Sequence, residues 1–150
     1  MAQSTESHIT IAAEPGEVLD VITDFEAYPE WAGGITAAEV VAEDEDGWAD
    51  QVRFTIDTTV VKDTYVLGYA YEIEEGGTGE MTWHLVSSDA MRALNGIYVL
   101  EEDGEGTTSV TYRLHMELMV PLPGILLRRG ERVLVDTALK GLKRRVETGE

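Results

Sequence analysis

Five tyrosines spaced along residues 65–112 are the side chains of this 150-residue chain best suited to contact a ligand. A buried tyrosine hydroxyl costs free energy unless it finds a partner, so a solid core would favour Leu, Ile and Phe. Aromatic and aliphatic walls with a few oriented hydroxyls suit an elongated or polycyclic apolar ligand. We therefore predict a ligand-binding cavity, although tyrosines at the rim of a sheet could equally point their hydroxyls into water. The predicted lining residues are Tyr65, Tyr69, Tyr71, Trp83, Tyr98 and Tyr112 from strands, and Leu134, Ala138 and Leu142 from a helix.

Side chains that could catalyse a reaction are sparse. Asp63 is the one carboxylate in phase with Tyr65 and Tyr69. Burial there would make Asp63 a candidate general base, whereas exposure at a strand end would leave it without a catalytic role. Tyr65 and Arg92 are the other candidates, because they could orient a poly-ketone or move its protons.

Metal, thiol and nucleotide chemistry have no motif in the chain. The absence of cysteine excludes disulfides, thiolate metal sites and thiol catalysis. His8, His84 and His115 are far apart and lack metal-ligand spacing, so we predict neither a metal nor a cofactor. The GGTG stretch at 76–79 joins two predicted strands and is typical of a turn rather than of a phosphate-binding loop.

The formal net charge of -18 produces a field that repels phosphate groups, which disfavours binding to nucleic acid and to anionic membranes. The charge is uneven, because seven of the eleven basic residues lie in 128–145. This basic segment is typical of a solvated helix face, and the alternative is a docking surface for an acidic partner. The chain has no long apolar run and no signal-peptide features, so we expect a cytoplasmic protein without stable membrane insertion.

The patterns of apolar residues predict one domain over residues 1–150. Period-two alternation predicts strands, and segments rich in glycine and carboxylates between them predict hairpin turns. Strands in a run with helices at the ends imply an α+β domain, whose antiparallel sheet has one apolar face covered by the last helix. The predicted elements are a strand at 8–12, a helix at 15–24, strands near 35–43, 48–58, 60–74, 80–87, 93–102 and 107–119, and a helix from 125 to about 147.

The stretch DFEAYPEW at 24–31 combines three aromatic residues with a proline that ends the first helical region. We interpret Phe25, Tyr28 and Trp31 as a plug that fills the junction between this region and the curved sheet. The alternative is that Tyr28 or Trp31 touches the ligand.

Short motifs along nearly the whole chain carry a family resemblance. They lie at 9–11, 14–18, 24–31, 96–100, 106–108, 110–112, 121–123, 139–143 and 146–147. Their order and spacing resemble the polyketide cyclase/dehydrase and lipid-transport branch of the START-like (SRPBCC) superfamily. The resemblance implies a helix-grip fold: a curved seven-stranded antiparallel sheet around a long C-terminal helix, with two short helices after strand 1.

Function does not follow from this fold alone, because proteins that resemble one another here include aromatases, lipid or quinone carriers, hormone receptors and ribosome-associated factors. We expect binding or carriage of a hydrophobic small molecule, such as a lipid, quinone or polyketide-like compound, with no catalysis required. The alternative is a polyketide aromatase/cyclase acting on a poly-ketone intermediate. The negative charge disfavours a ribosome-associated role.

Overall fold

Alternating apolar residues build most of the structure, a computed structural model that describes residues 4–59 and 62–150. Residues 60 and 61 of the strand predicted at 60–74 lie outside the described residues. The elements in chain order are β1 (Thr5–Ile11), α1 (Pro15–Thr23), a 3-10 helix (Phe25–Glu30), β2 (Ile35–Glu43), β3 (Ala49–Asp57), β4 (Lys62–Ile73), β5 (Gly79–Ser88), β6 (Met91–Glu102), β7 (Thr108–Leu118) and α2 (Gly124–Thr148).

The seven strands form one antiparallel sheet in the order β1-β7-β6-β5-β4-β3-β2. Register shifts within the β2–β3, β4–β5 and β6–β7 pairs are the irregularities that bend strands and increase twist. The curved sheet wraps around α2, which packs against β1 and β7. The predicted α+β helix-grip fold, with two short helices after strand 1, is confirmed.

The concave face of the sheet carries the side chains that alternation predicted to point inward. On β4, Tyr65 and Leu67 are buried, and Tyr69 and Tyr71 are half-buried. Val52, Phe54, Ile56, Met81, Trp83, Leu94, Tyr98, Leu100, Val110, Leu114 and Met116 are buried on the neighbouring strands. The apolar face of the sheet is therefore continuous from β3 to β7.

The aromatic junction after α1 is formed as predicted from the stretch at 24–31. Phe25, Tyr28 and Trp31 are buried, and the Phe25 ring lies 4.6 Å from that of Tyr69 on β4. Pro29 lies within the 3-10 helix, where Trp31 donates its backbone N–H to the Tyr28 carbonyl. The junction thus connects the first helical region to the middle of the sheet.

No helix among the described residues is long and apolar enough to cross a bilayer.

Candidate ligand-binding cavity

A cavity of about 90 Å³ lies between the concave face of the sheet and α2. Seven of the nine predicted lining residues surround it: Tyr65, Tyr69, Trp83, Tyr98, Tyr112, Leu134 and Ala138. Tyr28 and Trp31 of the aromatic junction also line it, so these two side chains both fill the junction and face the cavity. Residues from six strands, from the 3-10 helix and the segment that follows it, and from the middle of α2 thus share one space.

Tyr71 and Leu142 are the two predicted lining residues that lie outside the cavity wall. The Tyr71 ring packs 4.7 Å from Trp48, and its hydroxyl donates to the Ala49 carbonyl at 2.7 Å. Leu142 is fully buried beside Gly141, where a Cβ would lie only 2.4 Å from the Trp31 carbonyl oxygen. Close packing of α2 on Trp31 therefore closes the cavity before it reaches Leu142.

The three catalytic candidates do not meet in the cavity. Tyr65 lines it, but Arg92 is exposed and outside the lining. Asp63 is half-buried, also outside the lining, and accepts a hydrogen bond from the Ser88 hydroxyl. Ser88 Oγ in turn accepts the backbone N–H of Met91 at 2.8 Å. The Asp63–Ser88 pair therefore orders the β5–β6 turn.

Four tyrosine hydroxyls of the cavity wall have no hydrogen-bond partner among residues 4–59 and 62–150. They belong to Tyr65, Tyr69, Tyr98 and Tyr112. The indole Nε1–H of Trp31 is buried and likewise lacks a partner within the described part of the chain. By contrast, the hydroxyl of Tyr28 donates to the Ile22 carbonyl. The four hydroxyls are therefore available to bond with a molecule in the cavity, whereas the Trp31 N–H is fully buried and carries the cost of a buried polar group without a partner.

Burial controls the ionisation of the cavity tyrosines. Desolvation raises the pKa of Tyr65, Tyr69, Tyr98 and Tyr112, and neighbouring tyrosines add to the effect for the first three. All four hydroxyls are therefore neutral at physiological pH and act as hydrogen-bond donors. The residues that line the cavity include no Asp, Glu, His, Lys or Arg.

The aromatic wall is built around Trp83 on β5. Its ring lies 5.5 Å from the rings of both Tyr98 and Tyr112, and these two rings meet edge to face at 4.6 Å. Gly96 on β6 makes this possible, because a Cβ there would lie 2.2 Å from Trp83 Cζ2. A glycine within a strand is the sequence signal for such a close approach.

Some lining residues keep exposed surface where α2 faces the start of β2. They include Gly33 and Ile35 on one side and Leu134 and Ala138 on the other, and Gly33 packs closely on α2, because a Cβ there would lie 2.6 Å from Thr137 Cγ2. The sequence analysis did not single out Gly33 or Ile35, although the glycine pair after DFEAYPEW was an available signal. Pockets for drug-sized ligands measure roughly 300–1,000 Å³, so the cavity of about 90 Å³ is smaller than such a guest needs.

Glu131 is the buried charged residue that the sequence analysis missed. It is fully buried on α2, and its carboxylate accepts hydrogen bonds from Thr5 Oγ1 and from the Met116 backbone N–H, both at 2.7 Å. Arg128 Nη1 lies 2.8 Å from Oε2 as an ion pair without hydrogen-bond alignment. These contacts attach α2 to β1 and β7, on the side of the cavity away from Gly33. The available signal was that Glu131 precedes Val135 by one helical turn on the apolar stripe.

No group of His, Asp or Glu in the described ranges is arranged to hold a metal ion.

The chain matches a known protein family. The model of the family described as polyketide cyclase / dehydrase and lipid transport matches residues 2–147. No curated protein sequence matches the chain.

Three solved structures share the fold at low sequence identity. A START superfamily protein from Mycobacterium smegmatis is 21% identical, with a TM-score of 0.89 and coverage of 98% of this chain and 99% of that one. A STAR-related lipid transfer protein from Xanthomonas axonopodis is 16% identical (TM-score 0.79; 97% and 86% covered). The Zhui aromatase/cyclase from Streptomyces sp. R1128 is 14% identical (TM-score 0.72; 99% and 98% covered). Because the family model covers residues 2–147, the chain belongs to the polyketide cyclase/dehydrase and lipid-transport family.

Proposed function

We propose that this protein binds and carries a hydrophobic small molecule that bears at least one hydrogen-bond acceptor, without changing it chemically. The observation that carries the proposal is the set of four tyrosine hydroxyls without a partner among the described residues, on the wall of an otherwise apolar cavity. A carbonyl, ether or hydroxyl oxygen of a guest would satisfy one or more of these donors. Quinone-like and polyketide-like compounds combine such oxygens with ring surface that fits the aromatic wall.

Selectivity follows from the same donors. A guest that accepts hydrogen bonds from the cavity hydroxyls gains free energy, whereas a pure hydrocarbon of the same shape would leave these hydroxyls without a partner. Because burial raises the pKa of Tyr69, its hydroxyl stays protonated and donates a hydrogen bond. The matching group on the guest is therefore an uncharged or anionic acceptor. A fatty acid could place its carboxylate here, but its charge would also need to be desolvated.

The second candidate, a polyketide aromatase/cyclase, is motivated by the solved aromatase/cyclase with the same fold. Ring closure of a poly-ketone needs a group that takes up and returns protons. Asp63 and Arg92 lie outside the lining. Burial raises the pKa of Tyr65, so its hydroxyl stays protonated at neutral pH and does not act as a base. This geometry favours binding over catalysis.

Mass spectrometry of gently purified protein tests the assignment. An unmodified lipid, quinone or polyketide-like compound that co-purifies in stoichiometric amount would support carriage. Turnover of a poly-β-ketone mimic that is lost on substituting Asp63 or Tyr65 would instead support the cyclase.

A variant pair tests the site. Tyr69→Phe removes one unpartnered hydroxyl and should weaken binding of an aromatic polyketide by about tenfold, the value of one hydrogen bond of about 1.4 kcal/mol. Tyr69→Ala should weaken binding of the same probe and of a fluorescent fatty acid further. Lys62→Ala, an exposed position on the same strand, is the control. Equal effects of Tyr69→Ala and Lys62→Ala would show that the inner face of β4 does not contact the guest.

A further inference from the structure

Exposed aliphatic side chains cluster between the end of β7 and the first turn of α2. We call this cluster the apolar tip; it consists of Met119, Val120, Leu122, Ile125 and Leu126, which are 40–71% exposed. Single exposed apolar residues are ordinary, but five within eight positions form a contiguous patch of the kind that marks an interaction site. The Met119 backbone N–H donates to the Ala90 carbonyl at 2.9 Å, which fixes the start of the tip to the β5–β6 turn.

Basic residues follow the apolar tip directly along α2. Arg129 is exposed, lies one helical turn after Ile125 and has no ion-pair partner in the part of the chain that the structure describes. Arg132 is half exposed and donates to the Glu6 carbonyl. Val133, 56% exposed, continues the stripe that Ile125 and Arg129 begin. This face of α2 therefore alternates aliphatic and cationic groups.

About a third of the acidic residues lie in turns at the opposite end of the sheet. Antiparallel order places the β2–β3, β4–β5 and β6–β7 turns together there. The stretches 43–46, 74–75 and 101–105 at these turns hold ten of the chain's 29 acidic residues and no Lys or Arg. A nine-residue strand spans about 30 Å, several times the Debye length of roughly 8 Å at physiological salt.

Carboxylates at the end that carries the tip are fewer, and two of them have basic partners. Glu117 pairs with His115 at 2.7 Å, and Asp57 with Lys62 at 3.7 Å. Asp89 lies in the β5–β6 turn. A surface that meets the apolar tip therefore lies several Debye lengths from the three acidic turns, and salt screens the repulsion from these ten carboxylates.

We propose that the apolar tip and Arg129 form a docking surface for an anionic lipid bilayer. Protruding aliphatic side chains flanked by arginine fit the boundary between lipid headgroups and acyl chains, where apolar burial and attraction to anionic headgroups act together. The combination matches interfacial segments, which carry Lys or Arg on the polar side and apolar side chains on the other; an acidic protein is the alternative occupant that the vesicle experiment below distinguishes.

The position of the docking surface relates to the cavity. Met91 and Met116 line the cavity and lie within two residues of the ends of β6 and β7 at this end of the sheet. A protein seated on a bilayer by its apolar tip would hold the cavity next to the membrane surface. The docking surface itself does not depend on which guest the cavity holds.

Flotation with lipid vesicles tests the proposal on the full chain. The native protein should float with vesicles of phosphatidylcholine mixed with phosphatidylglycerol, and much less with phosphatidylcholine alone. Val120→Asp combined with Ile125→Asp should reduce the bound fraction at least tenfold. Val41→Asp, which introduces the same group at a 38%-exposed valine on β2, should leave it unchanged. Because all three valine and isoleucine side chains are exposed, the variants should keep the native unfolding midpoint.

The contribution of charge has its own pair of variants. Arg129→Gln should weaken binding to the anionic vesicles by about fivefold, whereas Lys140→Gln, farther along α2, should have less effect. Failure of the native protein to float with either kind of vesicle would overturn the proposal, and capture of an acidic protein by the tip would then assign the surface to that partner. Equal loss with Val41→Asp, or equal binding to both kinds of vesicle, would also overturn it.

Discussion

Filling the cavity from α2 should stabilise the protein and abolish its binding of a guest. Ala138 on α2 lines the cavity and is half-buried. Empty space costs about 24 cal/mol per Å³, so the cavity of about 90 Å³ represents about 2 kcal/mol of unrealised packing. Ala138→Leu adds three carbons, each worth at most about 0.8 kcal/mol when buried. We expect the free energy of unfolding to rise by about 1–2 kcal/mol.

Urea denaturation followed by tryptophan fluorescence measures this change, since Trp31 and Trp83 both line the cavity. In a thermal scan the midpoint should rise by about 2–8 °C, at roughly 2–4 °C per kcal/mol for a domain of this size. The affinity for a fluorescent fatty acid should fall at least tenfold, because the added leucine occupies the space of the guest.

Lys140→Leu is the control for Ala138→Leu, because it introduces the same side chain at an exposed position of the same helix. Lys and Leu have similar helix propensities, so neither stability nor affinity should change by much. A loss of more than 1 kcal/mol in Ala138→Leu would mean that the space beside Ala138 is not available. Binding that survives a stabilised Ala138→Leu variant would place the guest elsewhere in the molecule.

Three further predictions concern the elements that surround the cavity. Glu131→Ala should lower the free energy of unfolding by about 3–5 kcal/mol, because it leaves the Thr5 hydroxyl and the Met116 backbone N–H unpaired. A loss below 1 kcal/mol in urea denaturation would contradict the attachment of α2 to β1 and β7 by Glu131. Gly141→Ala should destabilise the protein by about 1–3 kcal/mol despite the better helix propensity of alanine, because the new Cβ would meet the Trp31 carbonyl. Gly124→Ala is the control, since a Cβ there has free space, and equal denaturation curves for the two variants would refute the contact. Burial raises the pKa of all six tyrosines, so their stabilising contribution is complete below their ordinary pKa of about 10 and is lost as the pH rises above it. Absorbance at 295 nm should therefore show tyrosinate only together with alkaline unfolding, and early titration of several tyrosines would disprove their burial.

Much of the fold could be predicted from local patterns. Alternation along 62–73 placed Tyr65 and Tyr69 on the inner face, because neighbouring side chains of a strand must point to opposite sides. Glycine and carboxylates between the strands predicted the hairpins. The proline in DFEAYPEW predicted the end of the first helical region. Each of these inferences concerns residues that are close in the chain, where steric rules act directly.

The extent of the cavity was harder to predict. Tyr71 has the same phase as Tyr69, yet its ring packs on Trp48 outside the cavity wall. Asp63 has the phase of Tyr65, yet its carboxylate accepts a hydrogen bond from Ser88, where β5 leads into the β5–β6 turn. Alternation determines a face but not how far along that face the space extends, since that length depends on where the helix lies.

The sequence by itself determined which elements form, which face of the sheet is apolar, and that the chain carries a large negative charge. Only the tertiary structure decided that Glu131 meets Thr5 across 126 positions, that Gly141 closes one end of the cavity against Trp31, and that the acidic turns gather away from the apolar tip. The physical reason is range: backbone sterics and side-chain alternation act between chain neighbours, whereas cavities, buried ion pairs and charge separation arise from packing between segments distant in the chain.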